Sequence, residues 1–334
     1  MRSITFLAAR VALLAAALCL GACAGSESSG SAGPSVSADP PTTAELDAVM
    51  AQWKQRDLSA RNVTLVGEYT SSADYDLRIY EHRVADRTHY GAITIPKNAA
   101  PGAVPVLVQL DGLDQSNPNL DLNAQLQMAG ELLRGVVYVV PTFRGRNLLY
   151  AGASYRADGD FCDAYDGASD DAIAFLSVAE NEILAADMNR VMARGGSRGG
   201  NTALLMAERD SRIKLVLAMS APTDFNRSEV RAKYGAQYRC QFIDKMTPEE
   251  SRLRILASSP LFFPVLPTIE KVFIFHGDID DVVPVWNANE MAARLDAQKV
   301  LTSLRIFAGY GHDLGASPDF RSAQRSAIGE LFAL

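Results

Sequence analysis

The chain has 334 residues, of which 48 % are apolar and 21 % charged, and its net charge is −7. That balance is the ordinary globular one and argues against a disordered or fibrous polymer. The acidity, with no dense Lys/Arg run to offset it, argues against nucleic acid, whose binding relies on cations that neutralise phosphates; a small or neutral partner and one large domain are expected.

At the N-terminus, Arg2 and Arg10 lead into an apolar run from Val11 to Leu20 that is too short to span a bilayer, the pattern of an export signal. Its end, Leu20-Gly21-Ala22-Cys23, resembles the bacterial lipoprotein cleavage box. Residues 1–22 are then the signal, and Cys23 carries the lipid that holds the chain to the cell envelope. Ala22-Cys23-Ala24 also fits an ordinary signal peptidase, which would release a soluble secreted chain. Residues 23–44 are mostly Ser, Gly and Pro; they bury too little apolar surface to offset ordering, and read as a flexible tether before a folded part at 45–334. Cys162 and Cys240 remain, and outside the cytoplasm such a pair can close as a disulfide; two separately buried thiols are the alternative.

An amphipathic start from Leu46 precedes two strand-like segments, 76–84 and 89–95, that form an entry hairpin. Continuous apolar runs at 104–110 and 136–140 have the character of strands covered on both faces, with a helical stretch at about 120–133 between them. The alternation continues with a helix at 169–179, strand 191–195, helix 200–208, strands 215–219 and 272–276, helix 286–295, strand 301–307 and a closing helix at 322–332. Repeated strand-then-helix units predict a mostly parallel, doubly wound sheet flanked by helices. Residues 223–268, rich in charge, Pro and aromatics, break the rhythm and read as a cap or insertion. No repeat of 20 to 50 residues is present.

Gly195-Gly196-Ser197-Arg198-Gly199 matches G-x-S-x-G between a predicted strand and a predicted helix, the setting of a nucleophile elbow in an α/β-hydrolase fold. Glycines two residues either side of Ser197 leave room for so sharp a turn, and the helix beyond directs free N–H groups toward charge developing beside it. A serine hydroxyl needs a neighbouring base, usually His. Of four histidines, His82 and His89 fall in the entry hairpin and His276 in an apolar strand, where it reads as a satisfied buried side chain; His312, in the loop Gly309-Tyr310-Gly311-His312 near the C-terminus, is the candidate. Its orienting carboxylate should precede it, which admits Asp278, Asp280 and Asp281.

The segment His276-Gly277-Asp278-Ile279-Asp280-Asp281-Val282-Val283-Pro284 resembles the H-G-x-x-D-x-x-V-P signature of the prolyl-oligopeptidase-like hydrolases, and Phe143-Arg144-Gly145 is similar to a turn of that family. The resemblance covers most of 91–334 and assigns the orienting role to Asp280, leaving Asp278 and Asp281 as ordinary loop carboxylates. The chain has no room for the family's β-propeller, and Arg198 stands where an aromatic residue is frequent, which turns the expectation from peptides toward esters.

Acyl transfer also needs two N–H donors for the developing oxyanion. The backbone of Arg198 is one candidate; Leu113, in the loop Asp111-Gly112-Leu113, is the other. Arg144 and Arg198 read as loop braces rather than as a substrate-anion site. The acidic run from Asp158 to Asp171 lacks a calcium-loop pattern and reads as a solvated loop with a helix cap, and neither a metal nor a cofactor is expected. The chain is therefore expected to be an exported serine hydrolase acting on a small acyl ester or short peptide, with a catalytically silent binding lipoprotein as the alternative from another class.

Overall fold

The computed structural model describes residues 36–70 and 72–334. The expected signal at 1–22, the anchor at Cys23 and the tether as far as residue 35 lie outside the described residues. The remainder of the expected tether is not free. Arg231 donates to the carbonyls of Val36 and Ser37, Asn226 to those of Ala38 and Asp39, and Arg252 to those of Ser37 and Asp39. From Val36 on, the described chain is thus pinned to the folded body: side chains almost two hundred residues later satisfy its backbone, and Val36 itself packs against the aromatic cluster of Phe225 and Tyr238.

Helix α1 (Thr43–Gln55) begins at a capping box in which Thr42 and Glu45 exchange hydrogen bonds. Strands β1 (Arg61–Tyr69), β2 (Tyr75–Val84) and β3 (Arg87–Pro96) follow as an antiparallel meander. Then come β4 (Val104–Leu110), a short β5 (Asn119–Asp121), α2 (Leu122–Ala129), β6 (Val137–Pro141), β7 (Asn147–Tyr150), β8 (Ala153–Arg156) and α3 (Asp166–Glu182). Strand β9 (Ala186–Gly196) runs into α4 (Arg198–Arg209), and β10 (Leu215–Met219) into two helices, α5 (Ser228–Phe242) and α6 (Pro248–Ala257). The chain closes with β11 (Lys271–Gly277), α7 (Trp286–Ala297), β12 (Thr302–Phe307) and α8 (Pro318–Gly329).

Nine strands form one sheet in the order β1-β2-β3-β6-β4-β9-β10-β11-β12. The first three pair antiparallel, with β3 antiparallel to β6, and every pair from β6 to β12 is parallel. All seven residues of β4 are buried, as a strand covered on both faces requires. This is the α/β-hydrolase architecture: after β4 the chain steps outward to β6, then crosses back to β9 on β4's other side. That reversal opens a crevice at the carboxyl ends of β4 and β9, where an open α/β sheet binds its ligand. Strands β5, β7 and β8 form a small separate sheet.

Residues 223–268 are helical, built on an aromatic cluster of Tyr165, Phe225, Tyr238 and Phe242. A disulfide between Cys162 and Cys240, with Cα atoms 5.3 Å apart, ties α5 to the loop before α3.

The acidic run departs from its expected solvated character. Asp166, Asp170 and Asp171 are buried. Arg56 binds Asp166 at 2.7 Å and Asp170 at 3.0 Å, Arg144 binds Asp171 at 2.8 Å, and Arg209 also pairs with Asp170. The arginines come from three distant segments, so local spacing carried no sign of them. Among the described residues no cluster of His, Cys, Asp and Glu is suited to a metal, and no helix is long and apolar enough to cross a membrane.

Candidate active site

At the end of β9 the backbone of Ser197 has φ 54° and ψ −122°, a conformation costly for any residue with a β-carbon, and α4 begins at the next residue. The turn is possible only because its flanks are bare. A β-carbon on Gly195 would lie 2.4 Å from the carbonyl carbon of Gly199, and one on Gly199 would lie 2.2 Å from the carbonyl oxygen of Leu110. The Ser197 N–H donates to the carbonyl of Met219 at 2.8 Å, which fixes the turn to the neighbouring strand.

His312 follows β12, and its Nδ1 lies 2.8 Å from Oδ2 of Asp280. An ionised carboxylate only accepts, so Nδ1 carries the hydrogen and Nε2 is left free to take a proton. The Asp280 side chain is fully shielded, whereas that of His312 is about a quarter exposed. The other oxygen of Asp280 accepts the N–H groups of Val282 at 2.9 Å and Val283 at 2.8 Å. Burial alone would raise the pKa of this carboxyl, but hydrogen bonds from His276, His312 and Val283 outweigh it and hold Asp280 well below the usual carboxylate range.

Ser197 and His312 line one cleft of about 520 Å³ at the carboxyl edge of the sheet. Among the described residues no hydrogen bond joins the Ser197 hydroxyl to the imidazole; such contacts commonly tighten only when substrate is bound. Asp111 and Gly112 line the same cleft, while the side chain of Leu113 packs away from it, against the aromatic cluster. Arg198 is buried and pegs this loop to the elbow, donating to the carbonyls of Asp111 at 3.2 Å and Gly112 at 2.6 Å, with its guanidinium over the ring of Phe143. Arg144 is committed to Asp171 and Asp163. Both arginines therefore brace loops.

Three residues at the site were not singled out as contributors from the sequence. Arg146 binds Asp111 at 2.9 Å. Ser220, also at positive φ (47°), donates to the carbonyl of His312 at 3.1 Å and so holds the loop that bears His312. Buried His276 faces the carbonyl of Val283 at 2.8 Å and Asp280 at 3.2 Å through Nε2, while its Nδ1 has no partner among the described residues. It is thus only half satisfied, and it touches Asp280. His82 and His89 pair across β2 and β3, away from the cleft, and Asp278 accepts the N–H of Gly309 at 2.6 Å. Only the proximity of His276 to Asp280 in the signature hinted at any of these contacts.

No curated protein sequence matches the chain. Among solved structures it is similar to acetyl xylan esterase 1 of a Thermoanaerobacterium species, with a TM-score of 0.62 and 15 % identity over 89 % of this chain and 96 % of that one. An acetyl xylan esterase of a Paenibacillus species matches with a TM-score of 0.62 and 21 % identity, over 87 % and 95 % of the two chains. The Pyrococcus horikoshii acylaminoacyl peptidase matches with a TM-score of 0.59 and 18 % identity over 78 % of this chain but 42 % of its own. At these identities the likeness is one of fold. The family model described as "Prolyl oligopeptidase family" matches residues 121–330, which include Ser197, Asp280 and His312. The chain is a serine-type hydrolase of the esterase or peptidase kind, and it belongs to the prolyl oligopeptidase family.

Proposed function

We propose that the protein is an exported, lipid-anchored esterase that works through a covalent acyl-enzyme, with Ser197 as nucleophile, His312 as base and Asp280 orienting the base. The observation that carries this reading is the 2.8 Å contact between His312 Nδ1 and a shielded Asp280 at the rim of the cleft that Ser197 lines. Oγ of Ser197 attacks the ester carbonyl carbon as Nε2 of His312 takes its proton; Asp280 keeps the ring in the right tautomer and favours its charged form. The oxyanion is held by the N–H groups of Arg198, in the first turn of α4, and Leu113. His312 then hands its proton to the leaving alcohol oxygen as the carbon–oxygen bond breaks. Water, deprotonated by the same imidazole, attacks the acyl group, and the serine hydroxyl is restored.

Esters are favoured over peptides because the chain covers nearly the full length of the esterase structures it is similar to but less than half of the acylaminoacyl peptidase. Cleavage of short peptides is the second reading, and family membership supports it. A panel of chromogenic acyl esters and aminoacyl amides separates the two, with esters expected to turn over faster. A fluorophosphonate probe should label the protein, and Ser197→Ala should abolish labelling and lower turnover by something on the order of a millionfold. Equal labelling of the two proteins would move the nucleophile away from Ser197 and remove the proposal, and absence of label on the wild type would leave a binding protein on a hydrolase scaffold.

For location, the support is the N-terminal pattern ending at Cys23 and the Cys162–Cys240 disulfide, a bond typical of oxidising compartments. Cys23→Ala should shift the protein from the membrane to the soluble fraction.

A further inference from the structure

The cleft contains a charge that the hydrolytic steps do not use. Arg194, three residues before Ser197, is on the sheet face beneath α2 and α8 and has 5 % of its surface exposed. Other arginines buried this deeply near the site, Arg144, Arg146 and Arg198, each pair with an aspartate. Arg194 makes no hydrogen bond or ion pair with any described group, and its Nε and Nη1 are buried without a partner. Burial pushes its pKa below the usual arginine range, and the Tyr138 phenol only partly offsets this. The Oε1 atoms of Gln109 and Gln125, which line the same cleft, are likewise unpartnered. Of the carboxylates lining the cleft, Asp111 is held by Arg146 and Arg198, and Asp313 accepts the N–H of Gly315. A buried guanidinium with Nε and Nη1 unpartnered is a standing cost to the free protein. A ligand that supplies the missing counter-charge relieves that cost on binding.

We infer that Arg194 determines specificity: the cleft takes esters that carry a carboxylate on one of the two groups flanking the scissile carbonyl, seated on the Arg194 guanidinium while the carbonyl meets Ser197. One negative charge balances the buried positive one, whereas Arg321, the other arginine of the cleft, is exposed and donates to the carbonyl of Gly315. The inference rests on the serine-esterase reading above.

The test compares kcat/KM for matched pairs of substrates on the purified protein. In one series the carboxylate is on the acyl group (para-nitrophenyl glutarate half-ester against its methyl ester); in the other it is on the leaving group (acetoxybenzoate against its methyl ester). One series should show a preference of about tenfold or more for the carboxylate, as hydrogen bonds to a charged group provide. That preference should fall to about one in Arg194→Met and survive in part in Arg194→Lys. Independently of any variant, glutarate should inhibit hydrolysis of a neutral ester competitively and glutaramide should not. Turnover of neutral esters with no carboxylate preference in either series, or a preference undiminished in Arg194→Met, overturns the inference and leaves the esterase reading intact. Absence of all ester turnover together with absence of fluorophosphonate labelling removes the esterase reading, and the inference with it.

Discussion

Three N–H groups converge on the two oxygens of Asp280, from Val282, Val283 and His312, and Nε2 of His276 lies 3.2 Å away. Asp280→Asn keeps the shape but replaces an acceptor that His312 needs, so it should lower kcat by something on the order of ten-thousandfold while leaving KM for a neutral ester nearly unchanged. Steady-state kinetics on the ester panel checks this. A second buried carboxyl behaves in the opposite way. Neither oxygen of Glu208 has a partner among the described residues, and burial holds its pKa well above the carboxylate range, against the pull of Arg209 and Arg294. The native state therefore keeps a proton that the unfolded chain releases above about pH 4.3, and stability falls as pH rises through that window by up to about 1.4 kcal/mol per pH unit. Glu208→Gln removes the slope. It should match wild type near pH 4 and become progressively more stable than wild type toward neutrality, as read by urea unfolding across that range. The candidate triad was readable by three different routes: Ser197 from a turn motif that backbone geometry dictates, His312 by elimination among four histidines, and Asp280 from the family resemblance alone. Arg146, Ser220 and the free guanidinium of Arg194 were not, since what matters about them is which distant group they meet or fail to meet.

Secondary elements were legible in proportion to how deeply they are buried. The runs at 104–110 and 215–219 coincide with β4 and β10 because a strand covered on both faces is apolar throughout. Strand β1 was missed: it is an edge strand, largely exposed, whose pairing with β2 is irregular, and its sequence has no alternation to read. The small sheet of β5, β7 and β8 was missed because its strands are three or four residues long. The loop after β12 depends on a glycine in another element. A β-carbon on Gly277 would lie 2.1 Å from the Tyr310 carbonyl oxygen and 2.4 Å from that of Gly311, backbone immediately before His312. Gly277→Ala should therefore displace the imidazole and lower kcat at least about a hundredfold, a larger effect than its loss of stability alone would explain. Turnover and thermal midpoint measured on the same preparation separate the two effects. The Cys162–Cys240 bond spans 78 residues, and replacing both cysteines with serine should cost about 2 to 4 kcal/mol of unfolding free energy.

At the scale of the molecule, the doubly wound architecture and its reversal beside β4 bring together residues as far apart as Asp111 and His312. The same packing unites α1, α3 and α4 through the Arg56, Arg209 and Asp170 ion pairs. The order of apolar runs was enough to predict this plan. What it could not show was that the stretch before α1 belongs to the folded body, for that depends on guanidinium groups reaching back from α5 and α6. The elbow at Ser197 has a consequence for the whole fold. A side chain held at positive φ stores on the order of 1 to 3 kcal/mol, which the packing around β9 and α4 must absorb. Glycine at that position would release it, so Ser197→Gly should be inert yet melt at a higher temperature than the native enzyme. Directed evolution toward heat resistance alone would thus tend to erase the very hydroxyl that the rest of the polypeptide is arranged to present.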